Sequence, residues 1–392
     1  MGGGRPLACT GRTSQLFWRI SEEQGVRQKI ISIVTKLHGH NKRHHRLSSS
    51  PIQPPVLPDA AQDRASADDS VVNNYSLEKF STVRYELNQQ LAGHNKLVER
   101  LLVATITGGH ILIEGSPGLA KTRAVKSFAT LFNADFVRIQ ATPDLLPADL
   151  TGTNVYQQHD ATFNFIPGPL FNNVVLVDEI NRAPPKVQSA LLEAMGENQI
   201  SAAGNTYRLK DPFIVVATQN PIEHEGTYPL PEAQLDRFMF FVDVSMPDPE
   251  LEHKILDLVL AETIEPSAPS YESLLHSEDV ANARQAAQNV FISDPVRDYI
   301  VRLVTATRGY GTAGSEASVV EHAASPRGSI FLARAAQARA WLDGRDHTTP
   351  EDISVLAPDI LSGRIILNYH AQAQGVSSRD LVHRILDSTT VV

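Results

Sequence analysis

Gly115-Ser-Pro-Gly-Leu-Ala-Lys-Thr122 lies directly after the apolar run His110-Ile-Leu-Ile-Glu114 and before a stretch compatible with a helix. A glycine-rich loop between a strand and a helix suits phosphate. The glycines at 115 and 118 let successive backbone N–H groups converge on phosphate oxygens, and the following helix presents its positive end. Gly115, Ser116, Pro117, Gly118, Leu119, Ala120, Lys121 and Thr122, with Arg123 beside them, therefore form the expected cradle for a nucleoside triphosphate. Lys121 would bridge the β- and γ-phosphates, and the Thr122 hydroxyl would hold Mg²⁺. Ala120 stands where a glycine is usual before the lysine, and a methyl group is the smallest possible departure.

Such a loop needs acids on a second strand. Val174-Val-Leu-Val-Asp178-Glu179 is a continuous apolar run, the form of a fully buried parallel strand, ending in two carboxylates. Ligands of open parallel sheets gather beyond the carboxyl ends of the strands. Asp178 is placed to hold the Mg²⁺ shell, and Glu179 to polarise an attacking water as general base. Asn220 follows Phe213-Ile-Val-Val-Ala217-Thr-Gln and could orient that water, although an Asn-Pro pair also starts turns.

Two arginines are harder to place by local stability. Arg237, in Pro231-Glu-Ala-Gln-Leu-Asp236-Arg237-Phe238, precedes the last strand candidate. It could reach the nucleotide of a neighbouring subunit as an arginine finger, or pair with Asp236 or Glu232 in its own chain. Arg327, in Ser325-Pro326-Arg327-Gly328, falls in the first turn of an expected helix. A cation there opposes the helix dipole. A bound phosphate would account for it.

Five strand candidates alternate with helical segments: 110–114, 136–140, 174–178, 213–217 and 239–243. This alternation predicts a parallel sheet with helices on both faces. Lys186 to Asn198 reads as a helix, and Gln199 to Lys210 as a hairpin turning at Gly204-Asn205. After about Met246 only helical periodicity remains, with Thr349-Pro350-Glu351-Asp352 as a helix start. Upstream, Ser48 to about Ser70 reads as a Pro/Ser-rich linker, and order is expected from near Ser76, where Phe80, Val83, Leu87 and Leu91 recur at helical spacing. The division is a leader and linker over 1–75, an α/β core over 76–246 and a helical domain over 247–392.

With 392 residues, 42% hydrophobic and 20% charged, the chain has the composition of a globular protein. Its single cysteine, Cys9, excludes an internal disulfide and fits a reducing compartment. No apolar stretch approaches the roughly 18 residues of a membrane span, and a signal-peptide core is missing, so a cytoplasmic location is expected. The net charge of −9 hides an asymmetry: residues 1–50 hold nine Lys/Arg against two Glu, and the rest holds 26 against 42 acids. An acidic body repels phosphate backbones and argues against a nucleic-acid motor. The basic head reads as a disordered leader, and its His38, His40, His44 and His45 lack anything that would fix a metal geometry.

The order of these parts resembles an AAA+ ATPase. The linking text is similar to the MoxR family: Ile139-Gln-Ala-Thr-Pro-Asp-Leu-Leu-Pro147, Pro167-Gly-Pro169, Asp178-Glu-Ile-Asn-Arg-Ala-Pro-Pro185, Ala190-Leu-Leu-Glu-Ala-Met195 and Ala217-Thr-Gln-Asn-Pro-Ile-Glu-His-Glu-Gly226 through Phe238. The resemblance spans about residues 76–392, and that family's loop often has alanine before the lysine. Ala141 and His94 depart from it, standing where an aromatic and a glutamine are commoner. What the resemblance implies is a hexameric ring with ATP between subunits. Lys121, Thr122, Asp178, Glu179 and Asn220 would act from one side and Arg237 from the neighbour, while Arg327 would report nucleotide state to the lid. Residues 150–165 and 199–210 would be insertions facing the pore or a client. The family acts in a chaperone-like way on partner proteins, often with a von Willebrand factor A domain protein. A nucleotide-gated scaffold with negligible turnover is the alternative.

Overall fold

In chain order the first nine described strands are β1 (Ile111–Glu114), β2 (Phe136–Gln140), β3 (Gly152–Gln157), β4 (Thr162–Pro167), β5 (Val174–Asp178), β6 (Gln199–Ala202), β7 (Asn205–Arg208), β8 (Ile214–Gln219) and β9 (Phe240–Asp243). Five of them form one sheet in the order β2-β5-β8-β1-β9, every neighbouring pair parallel. The computed structural model describes residues 60–391 except 92, 116–120, 160, 203, 221–225, 245 and 265–273. The basic leader with Cys9 and the histidine cluster lies outside the described residues, as do Ser116, Pro117, Gly118, Leu119 and Ala120.

Side chains alternate across each strand and feed two cores. Val174 and Leu176 of β5, with Ile214 and Val216 of β8, face the layer of helices Asn95–Thr107 and Lys121–Leu131. Val175, Val177, Val215 and Ala217 face helix Pro185–Glu197. Each fully buried valine or leucine stabilises by roughly 1.5–3 kcal/mol, which is why these strands read as unbroken apolar runs. The expected hairpin at 199–210 forms from β6 and β7 around Gly204, and a second forms from β3 and β4. Phe165 of β4 stacks on Tyr207 of β7 at 4.4 Å between ring centroids, tying the two hairpins together.

One core residue couples this fold to pH. His110, just before β1, is fully buried; its Nδ1 accepts from Val215 N at 3.0 Å, and Nε2 lies 3.1 Å from Met195 O. The proton therefore sits on Nε2 and donates to the carbonyl. Burial lowers the ring's pKa to about 4 from 6.5. The unfolded chain takes up a proton in that window and the folded chain does not, so stability is complete above about pH 6.5 and falls as pH drops toward 4. Urea titration is expected to show about 2 kcal/mol lost by pH 5 through this group, and His110→Gln to flatten that part of the profile. A profile as steep in the variant as in the parent would rule it out.

Helix Ala60–Gln90 buries Phe80, Val83, Leu87 and, just past its end, Leu91, as their spacing predicts. Phe80 meets Trp341 edge-on at 5.4 Å, and Lys79 pairs with Asp279 at 2.8 Å. The helix begins at Ala60, inside the run expected to be linker, which is a correction to that reading. The prolines that break helices all precede Asp59, and a helix nucleated by its packed half extends cheaply through Ala- and Asp-containing sequence.

After β9 the described residues form helices and loops apart from two short strands, Val320–His322 and Ile366–Leu367. Both expected helix starts form. Ser325 Oγ accepts from Arg327 N at 3.1 Å, and Thr349 N donates to Asp352 Oδ2 at 2.8 Å in a capping box. Among the described residues no helix is long and apolar enough to cross a membrane.

Candidate functional site

Three adjacent strands of the sheet, β5, β8 and β1, bring their carboxyl ends to one edge. β1 delivers Gly115, whose φ of +155° carries the chain past β9; a Cβ there would collide with Val244 O. Glycine is required by that approach. Lys121 opens helix Lys121–Leu131, and its Nζ donates to Gly115 O at 2.7 Å. Burial is the largest influence on this amine and lowers its pKa, with Asp178 and Glu179 pulling the other way. Thr122 and Arg123 follow, half-buried, in a first turn that contains no acid. Lys121 at the positive end of this helix opposes its dipole and suits an anion beside it.

β5 delivers the acids. Asp178 is buried; its Oδ2 accepts from Arg138 Nε at 2.6 Å and its Oδ1 from Thr218 Oγ1 at 3.2 Å. Glu179 adopts φ +56°, ψ +50°, a left-handed conformation costing a non-glycine residue roughly 1–2 kcal/mol. Strain at that point turns the side chain out of the strand. Its Oε2 accepts from Gln140 Nε2 at 3.1 Å and Arg182 Nη1 at 3.3 Å. β8 ends at Gln219, and Asn220, the residue after it, is buried at the same edge. A hydroxyl and a carboxylate, Thr122 and Asp178, are the hard oxygen donors that Mg²⁺ prefers, so these residues fit that ion.

The two remaining arginines lie elsewhere. Arg237 Nη1 donates to Leu192 O at 2.8 Å, on helix Pro185–Glu197. Gly196 makes this contact possible, because a Cβ there would collide with the guanidinium. The ion pair with Asp236 or Glu232 that the sequence allowed does not form. Asp236 is taken up by the lid instead: it accepts from Ser325 Oγ at 2.9 Å, Arg327 Nη1 lies 3.5 Å away, and Arg364 Nε lies 3.2 Å away. Arg364 is buried, with its pKa pushed down to about 10 by burial, and it donates to the carbonyls of Phe238, Met239 and Ile360.

Arg138, Gln140, Arg182 and Thr218 complete the site and were not foreseen. The signal for the first two was a charge and an amide inside Phe136–Gln140, a stretch that reads as a strand and whose alternate residues share a face.

A model of the ATPase family associated with various cellular activities (AAA) matches residues 110–240, and one of the AAA lid domain matches residues 313–385. Chaperone MoxR1 of Mycobacterium tuberculosis is 43% identical over 309 residues, 78% of this chain and 81% of that protein. Protein MoxR of Methylorubrum extorquens is 31% identical over 296 residues, 72% of this chain and 86% of its own length. Among solved structures, a proposed ATPase from Cytophaga hutchinsonii superimposes with a TM-score of 0.75 at 43% identity, covering 84% of this chain and 99% of that one. Phosphate loop, paired acids and helical lid thus occur in a chain that is 31–43% identical to such relatives over most of both lengths, and the chain belongs to the MoxR family of AAA+ ATPases.

Proposed function

We propose that this chain hydrolyses Mg·ATP at the interfaces of a homo-oligomeric ring, six subunits in the family's manner, and uses the cycle to remodel a protein client. The observation that carries this reading is the meeting of Lys121, Asp178, Glu179 and Asn220 at the ends of three neighbouring strands. Gly115 to Thr122 cradle the phosphates, and Thr122 and Asp178 would hold Mg²⁺. Bound there, the metal would neutralise charge on the β- and γ-phosphates. Glu179 takes the proton of the attacking water, and Asn220 orients that water. Arg237 leaves Leu192 O to reach the neighbouring subunit's γ-phosphate. Arg327, in the lid over 247–392, senses the nucleotide held by the core over 76–246.

Exposed apolar side chains favour a protein client. Phe163 at 68% exposure and Tyr156 at 50% stand on a hairpin whose strands β3 and β4 contain no lysine or arginine. Such a surface suits polypeptide better than nucleic acid, and a von Willebrand factor A domain protein is the partner the family suggests. The single cysteine supports a cytoplasmic setting.

Specific ATPase activity is expected to rise with protein concentration as subunits associate, and to vanish when EDTA removes Mg²⁺. A rate independent of concentration would sink the interface reading, and one that survives chelation would sink the role given to Asp178. ATP binding with no turnover in the assembled state would identify a nucleotide-gated scaffold.

A further inference from the structure

The two acids of the site are each held by two kinds of partner. A neutral group aims the carboxylate: Thr218 for Asp178, and Gln140 for Glu179. An arginine shares its charge: Arg138 for Asp178, and Arg182 for Glu179. Thr218 is itself fixed, because its Oγ1 accepts from Glu179 N at 3.0 Å while donating to Asp178. Orientation of Asp178 is therefore supplied without Arg138. What the arginine adds is positive charge.

That charge bears directly on the metal. The Asp178 side chain is 10% exposed and cannot move far, whereas Arg138, on the edge strand β2, is 53% exposed and is the partner able to leave. A carboxylate oxygen has lone-pair sites enough for a guanidinium and a metal-bound water together, so sterics do not forbid both. Repulsion does the separating: a guanidinium held at 2.6 Å from Asp178 Oδ2 would repel a dication held by the same carboxylate.

We propose that Arg138 competes with the divalent metal for Asp178, and thereby sets the metal concentration at which this chain holds nucleotide. The proposal rests on the assignment of Asp178 to Mg²⁺ made above. It also gives Arg138 a part in the cycle. Return of the guanidinium to Asp178 offsets the loss of the metal and so favours departure of Mg·ADP. A residue that only braced Asp178 would help metal binding, so the two roles differ in sign.

The test uses the full chain and a fluorescent N-methylanthraniloyl ADP, titrated with Mg²⁺, with Mn²⁺ bound to the same complex counted by electron paramagnetic resonance. Arg138→Gln is expected to lower the half-saturating metal concentration about tenfold, the effect of removing one like charge near the ion. Arg138→Lys keeps the charge and is expected to stay near the parent. Thermal melts of both variants establish that they fold. A half-saturating concentration that is unchanged or raised in Arg138→Gln, by either readout, overturns the competition and leaves Arg138 as a brace. Parent protein that binds the fluorescent ADP equally well without metal overturns the assignment of Asp178, and the proposal with it.

Discussion

Glu179→Gln is expected to cut ATP turnover by about 10²–10⁴-fold while leaving nucleotide bound, the range a positioned general base contributes. The substitution is close to isosteric. Its amide oxygen still accepts from Gln140 and Arg182, the partners that hold the carboxylate at 3.1 and 3.3 Å, so local structure should persist. Only the proton acceptor is lost. Single-turnover hydrolysis gives the rate, and filter binding of labelled ATP gives the occupancy. A rate within about threefold of the parent, far inside the expected range, would assign the base elsewhere. Because the variant arrests the cycle, it also serves as a trap: proteins retained with ATP but not with ADP are client candidates. A von Willebrand-type protein in that fraction supports the remodelling role.

Arg237→Ala is expected to lower activity of the assembled protein by about 10³–10⁵-fold, the contribution of an arginine finger to phosphoryl transfer. A competing explanation exists in the fold, since Arg237 also donates to Leu192 O at 2.8 Å. Magnitude separates the two. Loss of one such hydrogen bond costs about 1 kcal/mol of stability, which scarcely changes the folded fraction, whereas the finger is worth roughly 4–7 kcal/mol of barrier. Mixing supplies the decisive readout. Arg237→Ala subunits keep Glu179, and Glu179→Gln subunits keep Arg237. Co-assembly of the two inactive variants must restore part of the activity if the arginine acts across the interface. No restoration, in mixed rings shown to form, would place Arg237 in a structural role.

The arrangement at Asp236 links these sites. Asp236 precedes the proposed finger and accepts from Ser325 at the start of the lid helix Pro326–Leu342, while Arg327 and Arg364 crowd the same carboxylate. The lid and the segment carrying Arg237 are therefore held by one anion. Nothing in the sequence around Arg364 distinguishes it from a surface arginine, yet the fold buries it between the rings of Phe241 and Phe331.

The sequence by itself determined what local chemistry determines. Unbroken apolar runs specified the strands at 174–178 and 213–217, the second of which forms over 214–219, because a parallel strand covered on both faces admits little else. Glycines and a lysine before a helix marked the phosphate loop, and Ser325 and Thr349 marked helix starts, since caps are satisfied within a few residues. Only the tertiary structure decided which strands became neighbours. The order β2-β5-β8-β1-β9 sets an edge strand beside the acids, so that Arg138 and Gln140 meet Asp178 and Glu179 about forty residues away in the chain. Hydrophobic period reports that a residue faces in or out, but it carries no record of what stands across from it. A polar side chain in a strand reads alike whether it meets water or a buried carboxylate, and the same blindness hid Arg364 and the early start of helix Ala60–Gln90.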